Sequence, residues 1–297
     1  MFSPTGSRIF GQGRANKALL ETCRQVHPDL LLLGHSPSVG PEIIRKARAI
    51  VPKMRIALWW QDAIWEGHPT GQLLDKGACL DAIFISTSGD LLKQFVRPGC
   101  PAAYVPNPVE ASIHNLRAFE NPEPEFDLAF FGRDRGVPSR SQFLKDLRSL
   151  LPGFRLAIFG SLGERCVFGH EKDQVMASSR MGLNLSRRND VALCSSDRIA
   201  QLIGNGLLTF CPTGCGLEAL FGPNEVVFFE DVDDLAHKAR DLKDDDKKSR
   251  EIARAGWEKI HKYYSAREVA KFMLNVIFRK DEYRSAEWGE HVYWPDE

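Results

Sequence analysis

The sequence predicts an α/β protein with two domains, each built around a parallel β-sheet. Short apolar runs alternate with segments of helical spacing along the whole chain, which is typical of parallel strands joined by helices. The length of 297 residues favours two domains of ordinary size. Residues 107–125 include Pro108, Pro122 and Pro124 but few aliphatic residues, and we interpret them as a linker between two series of strands.

The first series lies in residues 1–120, which we assign to an N-terminal domain. Residues 1–13 are polar and glycine-rich, and we expect them to be irregular. Apolar runs predict strands at Asp29–Gly34, Arg55–Trp60, Asp81–Ser86 and Ala102–Pro106. Helical spacing predicts helices at Ala15–Val26, Pro41–Val51 and around Gly89–Val96.

The second series lies in residues 121–265, a C-terminal domain. Its predicted strands are Phe126–Gly132, Arg155–Gly160, Arg180–Ser186, Gly206–Phe210 and Glu225–Phe229. Its predicted helices are Ser139–Leu151, one opening at Ser195–Asp197, Asp231–Leu242, and Lys247–Tyr264 with a break or a bend near Gly256. Residues 266–297 add a helix, Ala266–Arg279, and a polar tail. Two such Rossmann-like halves imply a ligand-binding cleft between them.

Composition argues against three classes of protein: those that bind nucleic acid, those held together by disulfides or zinc, and those that span a membrane. The formal net charge is zero and the pI is about 7.1, so the global basic footprint of a nucleic-acid-binding protein is absent. The seven cysteines are scattered without a CxxC pair, which favours reduced thiols over disulfides or structural zinc. No apolar run approaches the roughly 18 residues that span a bilayer, and the N-terminus lacks a signal-peptide pattern. We therefore expect a cytoplasmic protein without a transmembrane segment.

The stretch from Asn184 to Phe229 carries the pattern of an anion-binding sheet edge. Arg198 follows a predicted helix start, and Gln201 lies about one turn further on. An arginine fork beside a helix N-terminus suits a diphosphate, because both donate hydrogen bonds to an anion. The alternative is that Arg198 pairs at the surface with Asp197 or Asp190.

Two loops add further candidates, each at the end of a predicted strand. One is a glycine-containing loop that opens a predicted helix and would cradle a ligand with its backbone amides: Thr213, Gly214, Cys215, Gly216, Leu217 and Glu218. The other presents Arg133, with Arg140 at the start of the next helix. An ordinary strand-to-helix turn and a solvated basic loop are the respective alternatives.

In the first half, Asp62 and His68 follow a predicted strand and are candidates for catalytic or acceptor-binding roles. A structural aspartate in a loop is the alternative for Asp62. The sequence contains no P-loop and no GxSxG motif. The paired aspartates at 233–234 and 244–246 lie in helical or linker context, so we expect no metal site.

Residues 197–242 resemble the C-terminal signature of group-1-like glycosyltransferases with the GT-B fold, and within them the CgeB-like branch of spore-maturation proteins. The matching residues are Arg198, Gly206, Gly216–Phe221, Glu225–Phe229 and Asp234-Leu235. The resemblance extends to FFGRDR with Arg140, to HPDLLLLG and to AAYVPNPV, and is most specific over residues 180–265. Two positions depart from the pattern. Gln201 stands where the family has a glutamate for the ribose hydroxyls, and Leu193 stands where it has a second acidic residue.

The resemblance implies a GT-B fold with two Rossmann-like domains whose parallel sheets face a cleft, here with a shortened N-terminal domain. It also implies a last helix and tail that return to that domain. Arg133, Arg140, Arg198, Gln201 and the loop 213–218 would bind a nucleotide-diphosphate sugar, and Asp62 or His68 would face the acceptor.

The predicted function is metal-independent, hexosyltransferase-like transfer of a sugar from that donor to an unknown glycan, protein or lipid acceptor. No further cofactor and no nucleic acid are expected, and peripheral membrane association is left open. The alternative is a catalytically degenerate protein of this fold that binds a nucleotide-sugar or a glycan.

Overall fold

The computed structural model describes residues 6–34, 36, 38–62, 64–65, 70–134, 137–194 and 196–295. The chain divides into two compact units. Unit 1 comprises Met1–Val105 and Phe272–Glu297, and unit 2 comprises Pro106–Lys271. No helix in the described parts of the chain is both long enough and apolar enough to cross a membrane.

Unit 1 contains a five-stranded sheet in the order β1-β2-β3-β4-β10, with strands numbered along the whole chain. The strands are β1 (Leu30–Leu33), β2 (Arg55–Trp60), β3 (Ala82–Ile85), β4 (Ala102–Tyr104) and β10 (Val292–Tyr293). The first four are parallel, and β10 pairs antiparallel to β4. The helices of this unit are α1 (Gly6–Val26), α2 (Pro41–Ile50), α3 (Gly71–Gly77), α4 (Asp90–Lys93) and a 3-10 helix at Asp281–Ser285. The helix α10 (Ala266–Ile277) crosses the division between the units.

Helix α1 corrects one sequence expectation, because residues 6–13 are helical rather than irregular. Two amides on this helix, Gln12 Nε2 and Asn16 Nδ2, each lie 3.2 Å from the carbonyl oxygen of Ser38 and donate to it. These tertiary contacts favour the helix despite Gly11 and Gly13, whose weak helix propensity had suggested a loop.

Unit 2 contains a second five-stranded sheet, entirely parallel, in the order β6-β5-β7-β8-β9. The strands are β5 (Phe126–Phe131), β6 (Leu156–Phe159), β7 (Ser179–Leu183), β8 (Leu208–Pro212) and β9 (Val227–Phe229). The helices are α5 (Pro138–Leu150), α6 (Gly169–Ala177), α7 (Asp197–Gly204), α8 (Val232–Asp244) and α9 (Asp246–Tyr263), with 3-10 helices at Ala118–Glu120 and Leu217–Ala219. The prediction of an α/β fold with two sheets of mostly parallel strands is confirmed.

The sequence had suggested a break or a bend near Gly256, and helix α9 has no break there, since it runs from Asp246 to Tyr263. A Cβ atom at position 256 would lie 2.3 Å from the carbonyl oxygen of Glu225. The glycine therefore allows close packing of α9 on the turn before β9, which offsets its poor helix propensity.

Asp127, at the start of β5, anchors the second sheet at its amino edge. The residue is 1% exposed. Arg155 Nη2 donates to one carboxylate oxygen at 2.9 Å, and Lys243 Nζ donates to the other at 2.9 Å. Burial alone would raise the pKa of Asp127, but the hydrogen bonds from Arg155 and Lys243 outweigh it and lower the pKa to about 2.

Candidate functional site

Arg198 lies in the first turn of α7, at the carboxyl edge of the second sheet. Its side chain is only 9% exposed. The guanidinium Nε donates to the carbonyl of Phe131 at 2.6 Å, and Nη1 donates to the carbonyl of Leu185 at 3.1 Å. These carbonyls belong to the last residue of β5 and to the segment just after β7, so two neighbouring parallel strands fix the guanidinium at their carboxyl ends.

Arg140, in the first turn of α5, brings a second guanidinium to the same edge. It is 5% exposed, and its Nη1 donates to the carbonyl of Arg133 at 2.7 Å. The guanidinium carbons of Arg140 and Arg198 lie 5.9 Å and 5.1 Å from the ring centroid of Phe130. Both cations therefore rest against one aromatic ring.

Neither buried arginine forms an ion pair with a carboxylate in the part of the chain that the structure describes. Burial, followed by the like charge of Arg140, lowers the pKa of Arg198 to about 10. Burial, followed by the charge of Arg187, likewise lowers the pKa of Arg140. Asp197 and Asp134 act on Arg198 and Arg140 only as more distant charges that partly oppose these shifts. Two desolvated cations that no carboxylate pairs directly form a site that favours an anion.

The surface ion pairs considered for Arg198 do not form. Asp190 instead accepts two hydrogen bonds from Arg188, at 2.8 Å and 2.6 Å. Asp197 accepts from the Gln201 amide at 2.9 Å. The structure therefore contradicts the alternative that Arg198 forms a surface ion pair with Asp197 or Asp190.

Gly132, directly after β5, lets the guanidinium of Arg198 approach the backbone. A Cβ atom there would lie 2.9 Å from Nη2 of Arg198 and 2.8 Å from Cζ of Phe130. The carbonyl of Gly132 accepts a hydrogen bond of 2.5 Å from the Ser161 hydroxyl, which ties this loop to the one after β6. The backbone at Gly132, against which the Arg198 guanidinium lies, is therefore held in place by this hydrogen bond.

Asp134 adds a second brace between these loops. Its carboxylate accepts from the Leu162 amide and from the Ser141 hydroxyl, each at 2.9 Å. The Leu162 bond is the main reason that the pKa of Asp134 lies below its usual value. Arg133, beside it, is exposed and donates from Nε to the Sγ of Cys166 at 3.4 Å.

Gln201 lies one turn after Asp197 and is held at both ends of its amide. Nε2 donates to Asp197, and Oε1 accepts from Lys172 of α6 through a short hydrogen bond. Lys172 Nζ also lies 5.2 Å from the ring centroid of Phe131. Burial, with Arg198 as a further cause, lowers the pKa of Lys172. Lys172 is therefore a third cation at this edge.

The loop 213–218 opens only a single 3-10 turn, Leu217–Ala219, and not the α-helix that the sequence had suggested. Gly214 and Gly216 adopt φ values of +93° and +78°, which side chains rarely allow. Cys215 and Leu217 are buried, whereas Thr213 is half-buried and Glu218 is exposed. A helix dipole is absent here because the turn is too short, so any ligand contacts would come from exposed backbone at the glycines.

Of the two candidates in unit 1, Asp62 lies at the carboxyl edge of the first sheet. Asp62 is exposed and lies two residues beyond the end of β2. The Ser86 hydroxyl donates to the Gln61 carbonyl at 2.8 Å and fixes the start of this loop. His68 lies outside the described residues.

The sequence interpretation missed Lys172, the close approach of Arg198 at Gly132, and the hydrogen bonds by which Ser161 and Asp134 connect the two loops. Lys172 belongs to a polar helix without a clear apolar period, and its partner Gln201 is 29 residues away. The Gly-Arg-Asp run did mark the first loop, but nothing local indicated which backbone atoms the arginines would contact. In the described residues, no group of three or more His, Cys, Asp or Glu side chains could hold a metal ion.

Comparison with models of protein families gives a match over the part of the chain that contains this edge. Residues 138–275 match the model of a family described as glycosyl transferase-like. That range contains Arg140, Lys172, Arg198 and Gln201. No curated protein matches the chain in a sequence search.

Solved structures match the fold at low sequence identity. HepE from Anabaena, in complex with UDP, has a TM-score of 0.62 at 12% identity, covering 89% of this chain and 82% of HepE. Sucrose-phosphate synthase from Thermosynechococcus elongatus has a TM-score of 0.56 at 12% identity, covering 96% and 82%. TarM has a TM-score of 0.61 at 12% identity, covering 88% of this chain but only 58% of TarM.

These neighbours are GT-B glycosyltransferases, so the predicted GT-B fold is confirmed. The family match and the fold together support the prediction that the chain is a glycosyltransferase.

Proposed function

We propose that the chain transfers a sugar from a nucleoside-diphosphate sugar to an acceptor, and that unit 2 binds the diphosphate at the carboxyl edge of its sheet. The observation that carries this proposal is the pair of buried guanidinium groups, Arg140 and Arg198, without an ion-paired carboxylate in the described chain. HepE, which shares the fold, is known in complexes with UDP and with UDP-glucose. These complexes support a nucleoside diphosphate as the anion.

The chemistry follows from the charge that develops when a nucleotide leaves. As the bond between sugar and diphosphate breaks, negative charge accumulates on the leaving oxygen. Donors that are already oriented stabilise that charge without the cost of reorganisation. The carbonyls of Phe131 and Leu185 orient Arg198 before any ligand arrives, which meets this requirement.

In this proposal, different residues contact different parts of the donor. Arg198 and Arg140 neutralise the diphosphate, and the exposed Arg133 and half-buried Lys172 add charge at its rim. Backbone amides of the loop 213–218 contact the donor next to Gly214 and Gly216. Gln201 hydrogen-bonds the ribose. Its amide lacks the charge-assisted strength of a carboxylate.

Three finer points belong to the same proposal. Asp62 and His68 contact the acceptor from unit 1. The reaction uses no metal and no cofactor beyond the donor, since the arginines supply the positive charge. The motif around Gly216–Phe221 supports membership of the CgeB-like branch.

Release of nucleoside diphosphate from a panel of UDP-, GDP-, CDP- and ADP-sugars, with and without candidate acceptors, tests this function. We expect one donor to be consumed, and we expect Arg198→Met to lower kcat/KM at least 100-fold, because charge-assisted hydrogen bonds are lost. Arg148→Met, an exposed residue of α5, is the matched control and should behave like the parent. Consumption that Arg198→Met leaves unchanged would refute the site.

A second candidate is a binding protein without turnover, and the Gln201 contacts favour it. Both ends of this amide are already engaged, by Asp197 and by Lys172, so it holds ribose hydroxyls less strongly than a free carboxylate would. Tight nucleotide-sugar binding that Arg198→Met abolishes, with no donor consumed by the parent under any acceptor condition, would establish this alternative over the enzyme.

A further inference from the structure

We propose that the solvent-facing side of α10 docks on the surface of anionic lipid membranes. The residues concerned are Arg267, Lys271, Leu274 and Phe278, which we call the α10 stripe. They recur at intervals of four, three and four residues, so they lie along one side of a helix. Phe278 directly follows the last residue of α10 and continues its last turn, because its amide donates to the carbonyl of Leu274 at 2.9 Å. All four are exposed, and Leu274 and Phe278 are 43% and 39% exposed.

The opposite side of α10 is apolar and buried, which fixes the orientation of the stripe. Its side chains are 3% exposed or less: Val269, Phe272, Met273, Val276 and Ile277. The helix is therefore anchored to the protein through one side and free to present the other. Leu274 and Phe278, both large and apolar, keep 43% and 39% of their surface exposed on that side.

Exposed apolar residues are concentrated in this region. The described chain has seven large apolar side chains classed as exposed, and three of them, Tyr263, Leu274 and Phe278, fall within 16 consecutive residues. Single exposed apolar residues are ordinary, whereas neighbours one turn apart on the same side of a helix, as Leu274 and Phe278 are, mark an interaction surface. Tyr263 lies at the end of the preceding helix with Lys262 over its ring at 4.6 Å.

Charge decides between a lipid surface and a protein partner. The stripe carries two cations and no acid, and Arg279 and Lys280 follow its last residue. Between residues 266 and 280 the single acid is Glu268, which is half-buried and 3.8 Å from Lys271. Asp281 and Glu282 follow and reduce the net charge. Basic residues that flank exposed leucine and phenylalanine are the pattern of helices that lie in the interface of an anionic bilayer.

The test uses the full chain and vesicles of phosphatidylcholine with and without half phosphatidylglycerol, measured by co-sedimentation. We expect binding to the anionic vesicles only, and weaker binding at higher salt. Lys271→Gln should weaken binding about fivefold, the value of one basic residue near an anionic surface. Leu274→Ser with Phe278→Ser should abolish it. Ile113→Ser, which changes a 66% exposed apolar residue outside the stripe, is the control.

Absence of binding to anionic vesicles would overturn the proposal, as would equal binding to pure phosphatidylcholine. So would a lipid-free dimer that the Leu274→Ser/Phe278→Ser variant dissociates, because the stripe would then be an interface between two copies. Thermal unfolding of each variant confirms folding. The proposal is independent of the nucleotide site, because vesicle binding is measured without a donor.

Discussion

Nε of Arg198 donates a hydrogen bond of 2.6 Å to the backbone carbonyl of Phe131. This bond orients a buried cation by means of the main chain instead of an ion pair with a carboxylate. A carboxylate partner would have held the guanidinium equally well, but it would also have cancelled the field that attracts an anion. The relation between these two residues therefore accounts for both the rigidity and the electrostatics of the candidate site.

Gly132→Ala tests whether the position of Arg198 matters. The new Cβ would lie 2.9 Å from Nη2 of Arg198 and 2.8 Å from the Phe130 ring, so the guanidinium must move. We expect nucleoside-diphosphate affinity to fall about tenfold or more and stability to fall by about 1–3 kcal/mol. Gly77→Ala, with no atom within 4 Å of the added methyl group, is the control for calorimetric titration. Unchanged affinity in Gly132→Ala would contradict the assigned role.

Lys172→Met separates binding from stability. Burial lowers the pKa of Lys172, so its charged form destabilises the folded protein, and this cost diminishes as the pH rises towards the ordinary lysine pKa of 10.5. We expect the variant to have an equal or higher Tm near neutral pH, a flatter dependence of Tm on alkaline pH, and about tenfold weaker nucleotide binding. Lys145→Met, on the exposed side of α5, is the control. A lower Tm with full affinity would indicate a purely structural lysine.

Asp127→Asn tests the anchor of the second sheet. The pKa of Asp127 falls from 3.8 to about 2 on folding, so its contribution to stability is present above pH 3.8 and is lost as the pH falls towards 2. The shift corresponds to about 2 kcal/mol. Urea unfolding at several pH values should show a less stable variant at pH 6 and a smaller decline in stability between pH 4 and 2. The exposed Asp281→Asn is the comparison, and an identical pH profile in Asp127→Asn and the parent would refute the anchor.

Gly256→Ala sets helix propensity against packing. Propensity alone would stabilise α9 by about 1 kcal/mol, but the methyl group would lie 2.3 Å from the Glu225 carbonyl. We expect a loss of about 2–4 kcal/mol in the free energy of unfolding. Gly13→Ala in α1, with open space around the added group, should instead be neutral or slightly stabilising. Equal changes in the free energy of unfolding for the two substitutions would contradict the claim that the close contact with Glu225 requires a glycine at position 256.

The sequence predicted the strands that are apolar throughout, because residues such as those of β3 and β8 are buried on both faces of a parallel sheet. It missed β10, a two-residue strand in a polar tail whose pairing with β4 depends on a contact nearly 190 residues away in the chain. Helix α6 escaped notice for a similar reason: its polar residues do not form an apolar period. The apolar strands can thus be predicted from the local sequence, whereas β10 and α6 depend on tertiary contacts.

The candidate site shows the same division. Arg198 and Arg140 could be selected from the sequence because cations at strand ends and helix starts commonly bind anionic ligands. Their burial could not be predicted, since it depends on carbonyls from separate strands and on the ring of Phe130. The loop 213–218 was expected to open a helix because its glycines precede Leu217 and Glu218, but the chain turns again after Ala219 towards β9.

Calorimetric titration of UDP, GDP, CDP and ADP into the parent chain and into Arg198→Met tests the central claim most directly. Arg198→Met removes the donor to the carbonyls of Phe131 and Leu185, which costs about 1–3 kcal/mol for each acceptor left unsatisfied, so thermal unfolding first establishes that the variant is folded. We predict that at least one nucleoside diphosphate binds the parent and binds Arg198→Met about 100-fold more weakly, the loss of about 3 kcal/mol expected for charge-assisted hydrogen bonds. Failure of all four to bind the parent, or equal affinity for the parent and a folded Arg198→Met, would contradict the claim.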